Sequence, residues 1–369
     1  MTADLGIQSR PAVSESLSRR QPVAFIAVAT FLLVGLAIAS IFLGSRSLSV
    51  SDVISILALG PNADRVVLPE GLSSDDYGIV WNLRLPRTLL AMGVGASISI
   101  AGAIAQVWTR NPLADPGLIG INAGAGFAVA LALTAGWAPT IGQRALFGLV
   151  GAACSMAVVL LVSRVSRDPL TLVLVGVGVT FGLQAAANLM SLYSSDTLEG
   201  LRRWSVGSTA GRGLDDATIA ATGLVLGTLV ALFVAKPLDL LAMGEEAASA
   251  LGVSPQNVRW AAGLAIVVLA GSATATVGLV TFLGFAAPHV IRRFTGPALT
   301  RLLIPTAFTG AAALLAADIG GRFIIQPNEV EMSIPVAIVG APIMIATVRE
   351  RLPRMRWRRN KKNYEAVTR

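Results

Sequence analysis

The chain is dominated by long stretches without charge. From Val23 to Ser45 no Asp, Glu, Lys or Arg occurs, and similar runs recur almost to the end. In hydrocarbon an open backbone N–H or C=O finds no partner, so a crossing segment folds as a helix of about 20 mostly apolar residues. Ten stretches qualify: 23–44, 88–107, 118–136, 145–163, 171–193, 217–235, 259–277, 278–291, 302–321 and 334–348. Only the Gly278 region separates the seventh from the eighth. The composition agrees, with 54% apolar and 14% charged residues, where a soluble domain carries about 25% charged. The predicted fold is all-α, a polytopic bundle of ten transmembrane helices over 23–348, between an N-terminal tail 1–22 and a basic C-terminal tail 349–369.

Basic residues set the orientation. Arg10, Arg19 and Arg20 precede the first stretch, and Ala37-Ile-Ala39 resembles a cleavage site. The uncharged run is too long for a signal h-region, so it reads as a retained helix with the N-terminus inside. An even number of spans then returns the C-terminus to the cytoplasm. On this topology 20 Lys and Arg residues fall inside and 9 outside, as the positive-inside rule requires. The tail from Arg349 to Lys362 reads as an anchor on anionic membrane lipid, and no nucleic-acid partner is expected. Gly93, Gly95, Gly102, Gly124, Gly178 and Gly182 let helices approach closely where lipid supplies no hydrophobic drive between them.

Several functions are excluded by what the spans lack. Of the 21 acidic residues only Asp318 falls at membrane depth, whereas a proton-coupled pump needs a chain of Asp, Glu or His. The three lysines, Lys236, Lys361 and Lys362, are not preceded by glycine, so the G-x-x-x-x-G-K-[ST] nucleotide loop is absent. Neither G-x-S-x-G nor H-E-x-x-H occurs. A single cysteine, Cys154, and a single histidine, His289, leave no thiolate cluster and few imidazole sites. The chain reads as no enzyme, without a catalytic residue, metal or cofactor. Asp318 stands four residues before Arg322, one helical turn, which suits an ion pair near the outer interface. His289, beside Pro288 and without a second ligand nearby, reads as structural.

Two cytoplasmic segments are more than connectors. Between spans two and three, Arg110, Asn111, Pro112, Asp115 and Pro116 make a rigid turn, because the two prolines fix φ on either side of the aspartate. In the segment 236–255 a short helix is predicted from Gly244, with Glu245 and Glu246 in its first turn and Gly252 as its stop. Ala247, Ala248 and Ala250 leave it narrow enough to enter a cleft in another protein.

These residues and their order resemble the FecCD-type permeases, the membrane subunits of ATP-binding-cassette importers for ferric siderophores, haem and vitamin B12. The matching motifs are Asn82-Leu-Arg-Leu-Pro-Arg87, Gln106-x-x-x-Arg110-Asn-Pro-Leu-Ala-Asp-Pro-Gly-Leu-Ile-Gly120, Arg203-Trp-Ser-Val-Gly-Ser208 and Leu240-Leu-Ala-Met-Gly-Glu-Glu246. They continue with Val280-Thr-Phe-Leu-Gly-Phe-Ala-Ala-Pro-His289, Ala317-Asp318 and Ile334-Pro-x-x-Ile-Val-Gly-Ala-Pro342.

The resemblance implies a ten-helix subunit of a bacterial inner membrane. It implies as partners a second permease subunit, two cytosolic ABC ATPases and an extracytoplasmic binding protein. Leu240, Leu241, Met243, Gly244, Glu245, Glu246, Ala247, Leu251 and Gly252 would form the coupling element seated in the ATPase. Arg84, Arg87 and Arg322 would dock acidic residues of the binding protein, for which the guanidinium fork is suited. Ferric siderophore is the first substrate implied, with haem and cobalamin as alternatives. The outer stretch 59–78, with Asp64, Glu70, Asp75 and Asp76, is longer than the resemblance leads one to expect and bears on that docking. The rival class is an ion-coupled secondary transporter, which would need ionisable groups at mid-membrane.

Overall fold

A computed structural model describes residues 15–61, 72–138, 140–162, 169–325 and 328–351. Arg10, Asp64, Glu70, Arg164, Arg167 and the basic tail beyond Arg351 lie outside the described residues. Each of the ten apolar stretches contains a helix, and no strand occurs among the described residues. The long elements are α1 (Glu15–Phe42), α4 (Leu85–Trp108), α5 (Ile121–Thr134), α6 (Ile141–Val162), α7 (Pro169–Ser191), α9 (Leu214–Ala242), α11 (Pro255–Ile266), α13 (Leu283–Thr295), α14 (Leu299–Ile324) and α15 (Ser333–Arg351). Short helices α2 (Val50–Leu59), α3 (Ser74–Gly78), α8 (Ser195–Val206), α10 (Glu245–Ala250) and α12 (Ser272–Val277) complete the chain.

The bundle is built around α4. Every residue from Gly93 to Trp108 is buried, so this part of the helix has no lipid-facing side and is enclosed mainly by α14, α9 and α13. Small residues make the enclosure possible. A Cβ on Gly102 would meet the carbonyl oxygen of Gly284 at 1.8 Å, and Gln106 Nε2 donates to the Phe285 carbonyl at 3.2 Å across the same crossing. At a second crossing, between α5 and α6, a Cβ on Gly124 would meet the Gly151 oxygen at 2.4 Å.

Among the described residues, six helices are long and apolar enough to cross a membrane by themselves: Ser74–Trp108, Gly142–Val162, Val173–Ser191, Leu214–Ala242, Pro255–Val277 and Leu299–Ile324. The eighth predicted span differs from the rest. Its helix α13 has 13 residues, a rise of about 20 Å against a hydrocarbon core of about 30 Å. The chain reverses between α12 and α13 through Gly278, at φ +85°, and Phe282, at φ +66°. The freed backbone there is paired rather than open: Leu279 N donates to the Trp204 carbonyl at 2.9 Å and Ser208 N to the Val277 carbonyl at 2.8 Å. Non-helical backbone survives at membrane depth only with such partners.

A further difference lies at the end of the sixth span. Rather than stopping at 235, α9 continues through Pro237 to Ala242, shortening the exposed connector to the few residues around α10. In contrast α7 is sparsely covered, with Leu174, Phe181 and Leu189 all more than half exposed.

Candidate functional site

Three groups of polar residues stand out, one at each end of the bundle and one between. The first gathers around Asp318 on α14, a carboxylate that is 1% exposed. Its Oδ1 accepts from Arg87 Nη2 at 2.9 Å and from Thr209 Oγ1 at 2.5 Å, and its Oδ2 accepts from Arg322 Nη2 at 2.5 Å. The last contact is the i,i+4 ion pair expected from the spacing. Arg87 also reaches Glu329 Oε2 at 2.5 Å through Nη1. Arg322 Nη1 donates to the carbonyls of Ser40 and Leu43 at 2.8 and 2.9 Å. Arg84 donates to the carbonyls of Ile41, Phe42 and Arg46 at 2.9, 2.9 and 2.5 Å.

Arg84 and Arg322 are therefore buried, 4% and 1% exposed, and both clamp the last turn of α1, whose carbonyls have no helical partner. They are not displayed as free docking groups. What opens to the surface is a cleft of about 250 Å³ lined by Arg46, Arg84, Arg87, Arg322 and Glu329. Arg84, Arg87 and Arg322 against Asp318 and Glu329 leave one net positive charge beside it. Thr209, Glu329 and Ser40 carried no signal in the sequence, because each reaches the cluster only by tertiary contact. Beside the cluster, the long stretch 59–78 places Asp76 at 3.0 Å from Arg46, within a capping box with Ser73.

The second group lines a cavity of about 640 Å³ bounded by α5, α7, α8 and α13. Thr180, Gln184, Asn188 and Ser191 project into it from α7, and Arg202 and Trp204 from α8. The α7 residues follow a spacing of four, four and three, which marks one helical face. The sequence of the fifth span carries the signal for this stripe in the helical spacing of Thr180, Gln184, Asn188 and Ser191. Asp115 Oδ2 and Trp204 Nε1 line the same cavity and are buried without a hydrogen-bond partner. Polar side chains within a membrane bundle face its interior or an aqueous path.

The predicted rigid turn lies beside this cavity. Asn111 Oδ1 accepts from Leu113 N at 3.0 Å, and Asp115 Oδ1 accepts from Gly117 N at 2.8 Å. Asp115 thereby caps the single turn Pro116–Ile119, with Pro116 at its first position and Pro112 in the loop before it. Arg110 adopts φ +51°.

The third group is the segment around α10. Gly244 precedes the helix and Gly252, at φ +78°, ends it, so the short helix read from the sequence is present. Its two glutamates differ: Glu245 Oε1 accepts from Arg259 Nη2 at 2.5 Å, while Glu246 is exposed. Ala248 and Leu241 face inward, at 0% and 5% exposure, and Leu240 is half-buried. Met243, Ala247 and Leu251 face outward, with Met243 77% and Leu251 65% exposed. The outward surface is thus a narrow alanine ridge between two apolar ends. His289, by comparison, bonds Thr347 Oγ1 at 3.0 Å and stacks on Phe285.

The sequence profile described as the FecCD transport family matches residues 32–350. The chain is 32% identical to the ferric enterobactin transport system permease FepD of Escherichia coli K12 over 342 residues, 92% of this chain and 98% of that one. It is 32% identical to the Fe(3+)-citrate import permease YfmE of Bacillus subtilis, over 89% of this chain and 95% of the relative. Against the vitamin B12 import permease BtuC of Vibrio parahaemolyticus it is 36% identical over 75% and 84%. A solved structure described as an inward-facing metal-chelate type ABC transporter superposes with a TM-score of 0.74 at 26% identity, covering 89% of this chain and 99% of that chain.

Proposed function

This chain belongs to the FecCD transport family, and we propose that it is the permease subunit of an importer that moves a ferric siderophore inward. As a member of that family it is a multi-pass membrane protein of the ABC importer permease kind. The cluster end around Asp318 then faces outward and the α10 end faces the cytoplasm, with both termini inside.

The observation that carries the reading is the outward ridge of α10. A bundle without a nucleotide loop of its own exposes Met243, Ala247 and Leu251 at one end, on an element with a buried inner side. A cytosolic ATPase seated on that ridge supplies the force. The cleft of Arg46, Arg84, Arg87 and Arg322 takes an acidic side chain of the binding protein, since its net positive charge and unfilled volume admit a carboxylate. The polar face of α7, with Arg202 and Trp204, lines the path; its exposed apolar flank packs a second permease subunit. A chelate rich in oxygen ligands suits a wall of amide and hydroxyl groups better than a charged filter.

The test is uptake in cells lacking this chain, with iron-labelled catecholate and hydroxamate chelates, haem and cobalamin supplied separately. Loss of ferric chelate uptake, restored by the intact gene, supports the reading. Loss confined to haem or cobalamin keeps the importer and replaces the substrate. Undiminished uptake of all four rejects it.

A further inference from the structure

Among the described residues, polar links tie the segment around α10 to three other parts of the bundle. On its N-terminal side, Asp239 of α9 reaches across to the start of α14: Oδ1 accepts from Leu299 N at 2.6 Å, and Oδ2 accepts from Thr300 N at 3.2 Å and Thr300 Oγ1 at 3.0 Å. The residue before α14 is Ala298, which has no side-chain acceptor, so the cap of that helix comes from another element. At the last turn of α9, Arg110 Nη2, just beyond α4, donates to the Leu241 carbonyl at 2.7 Å. Within α10 itself, Glu245 pairs with Arg259 of α11.

Apolar packing anchors the same segment through Ala248 and Leu241, which belong to the main buried cluster, with Leu240 and Val253 packed against it. A helix of six residues is far below the length at which helices persist unaided, and Ala248 is its one buried side chain. A load applied to the outward ridge would bend such a segment unless something stiff joined it to the bundle. The three links meet that need. They lead to α4, the buried centre of the fold, to α11, and to α14, which carries Asp318 and Arg322 at the far end.

We propose that Asp239, Arg110 and Glu245 are positioning residues that turn movement of the α10 ridge into movement of α14, α4 and α11. This rests on the reading of α10 as the ATPase contact. The two glutamates then have separate work: Glu246 stands on the partner-facing side, and Glu245 transmits.

The test uses the complete transporter, purified with the subunits that accompany it, in a Cys154→Ser background carrying Ser205→Cys as a reporter in the cavity. Maleimide labelling of that cysteine is followed with and without ATP plus vanadate, beside ATP hydrolysis. Asp239→Asn, Arg110→Ala and Glu245→Ala are each expected to keep hydrolysis within twofold while abolishing the nucleotide-dependent change in labelling. The charge exchange Glu245→Arg with Arg259→Glu is expected to restore that change, which separates a link from a general loss of folding. Labelling that still responds to nucleotide in all three variants, or that falls only in proportion to hydrolysis, overturns the proposal. A bulky Ala247→Trp on the ridge probes the premise separately: if it leaves the ATPase bound and active, α10 is not the contact, and the proposal falls with that reading.

Discussion

Arg87 and Asp318 are separated by 231 residues and meet with 2.9 Å between Nη2 and Oδ1. A carboxylate that is 1% exposed cannot stand alone at membrane depth, because the cost of desolvating it is repaid only by paired charge and hydrogen bonds. Arg87, Arg322 and Thr209 supply these from α4, from one turn along α14, and from the loop after α8. Together with the clamp on α1, they make this end of the bundle a single cross-linked unit.

Removing Arg87 strips buried Asp318 of one of its two guanidinium partners and Glu329 of its arginine. Arg87→Ala is expected to lower stability by about 3–5 kcal/mol, the range for breaking a buried pair. The effect is read as a lower Tm of the detergent-purified chain. Asp318→Asn, which keeps the shape and one acceptor, should cost less than Asp318→Ala.

Two glycines of similar appearance in the sequence should behave oppositely. Gly102→Ala drives a methyl group into the Gly284 backbone and is expected to cost at least about 2 kcal/mol, since neither backbone can yield. Gly178 on α7 has nothing within 4 Å of its missing Cβ, so Gly178→Ala should leave the Tm of the isolated chain unchanged or raise it. Thermal unfolding of both variants in one detergent decides the matter.

Asp115→Ala removes the acceptor that starts the Pro116–Ile119 turn. The expected cost is about 1 kcal/mol, as for other lost helix caps. Because that turn borders the cavity, uptake of the transported chelate should fall as well, and Asp115→Asn should restore stability more fully than Ala does.

Gln184→Leu combined with Asn188→Leu replaces the middle of the polar stripe on α7 with apolar groups of similar size. Both positions are exposed within the subunit, so the Tm should hold while uptake drops severalfold. A parallel fall in Tm and uptake would show that the stripe is packed rather than facing a path.

Met243→Glu and Ala247→Trp alter only the outward ridge, where both residues are exposed. Each is expected to reduce co-purification of the ATPase at least severalfold, measured by pull-down in mild detergent, without lowering the yield of this chain.

The apolar stretches and their punctuation were enough to locate the helices, because the demand of hydrocarbon for internal hydrogen bonds acts on each stretch by itself. The same holds for the α10 segment, whose glycines at 244 and 252 bound it locally, and for the Asp115 turn, whose acceptor and donor are two residues apart. Tertiary structure alone decided which arginines are clamps, which glutamate is paired, that α13 is a half-length helix, and that the face of α7 bearing Gln184 and Asn188 borders a cavity. Those outcomes depend on partners such as Ser40 for Arg322 and Leu241 for Arg110, brought together from positions 282 and 131 residues apart. Lipid specifies that a segment be helical but not which of its sides meets a neighbour; close packing of small residues and the pairing of buried charge make that choice, and both exist only once the bundle has formed.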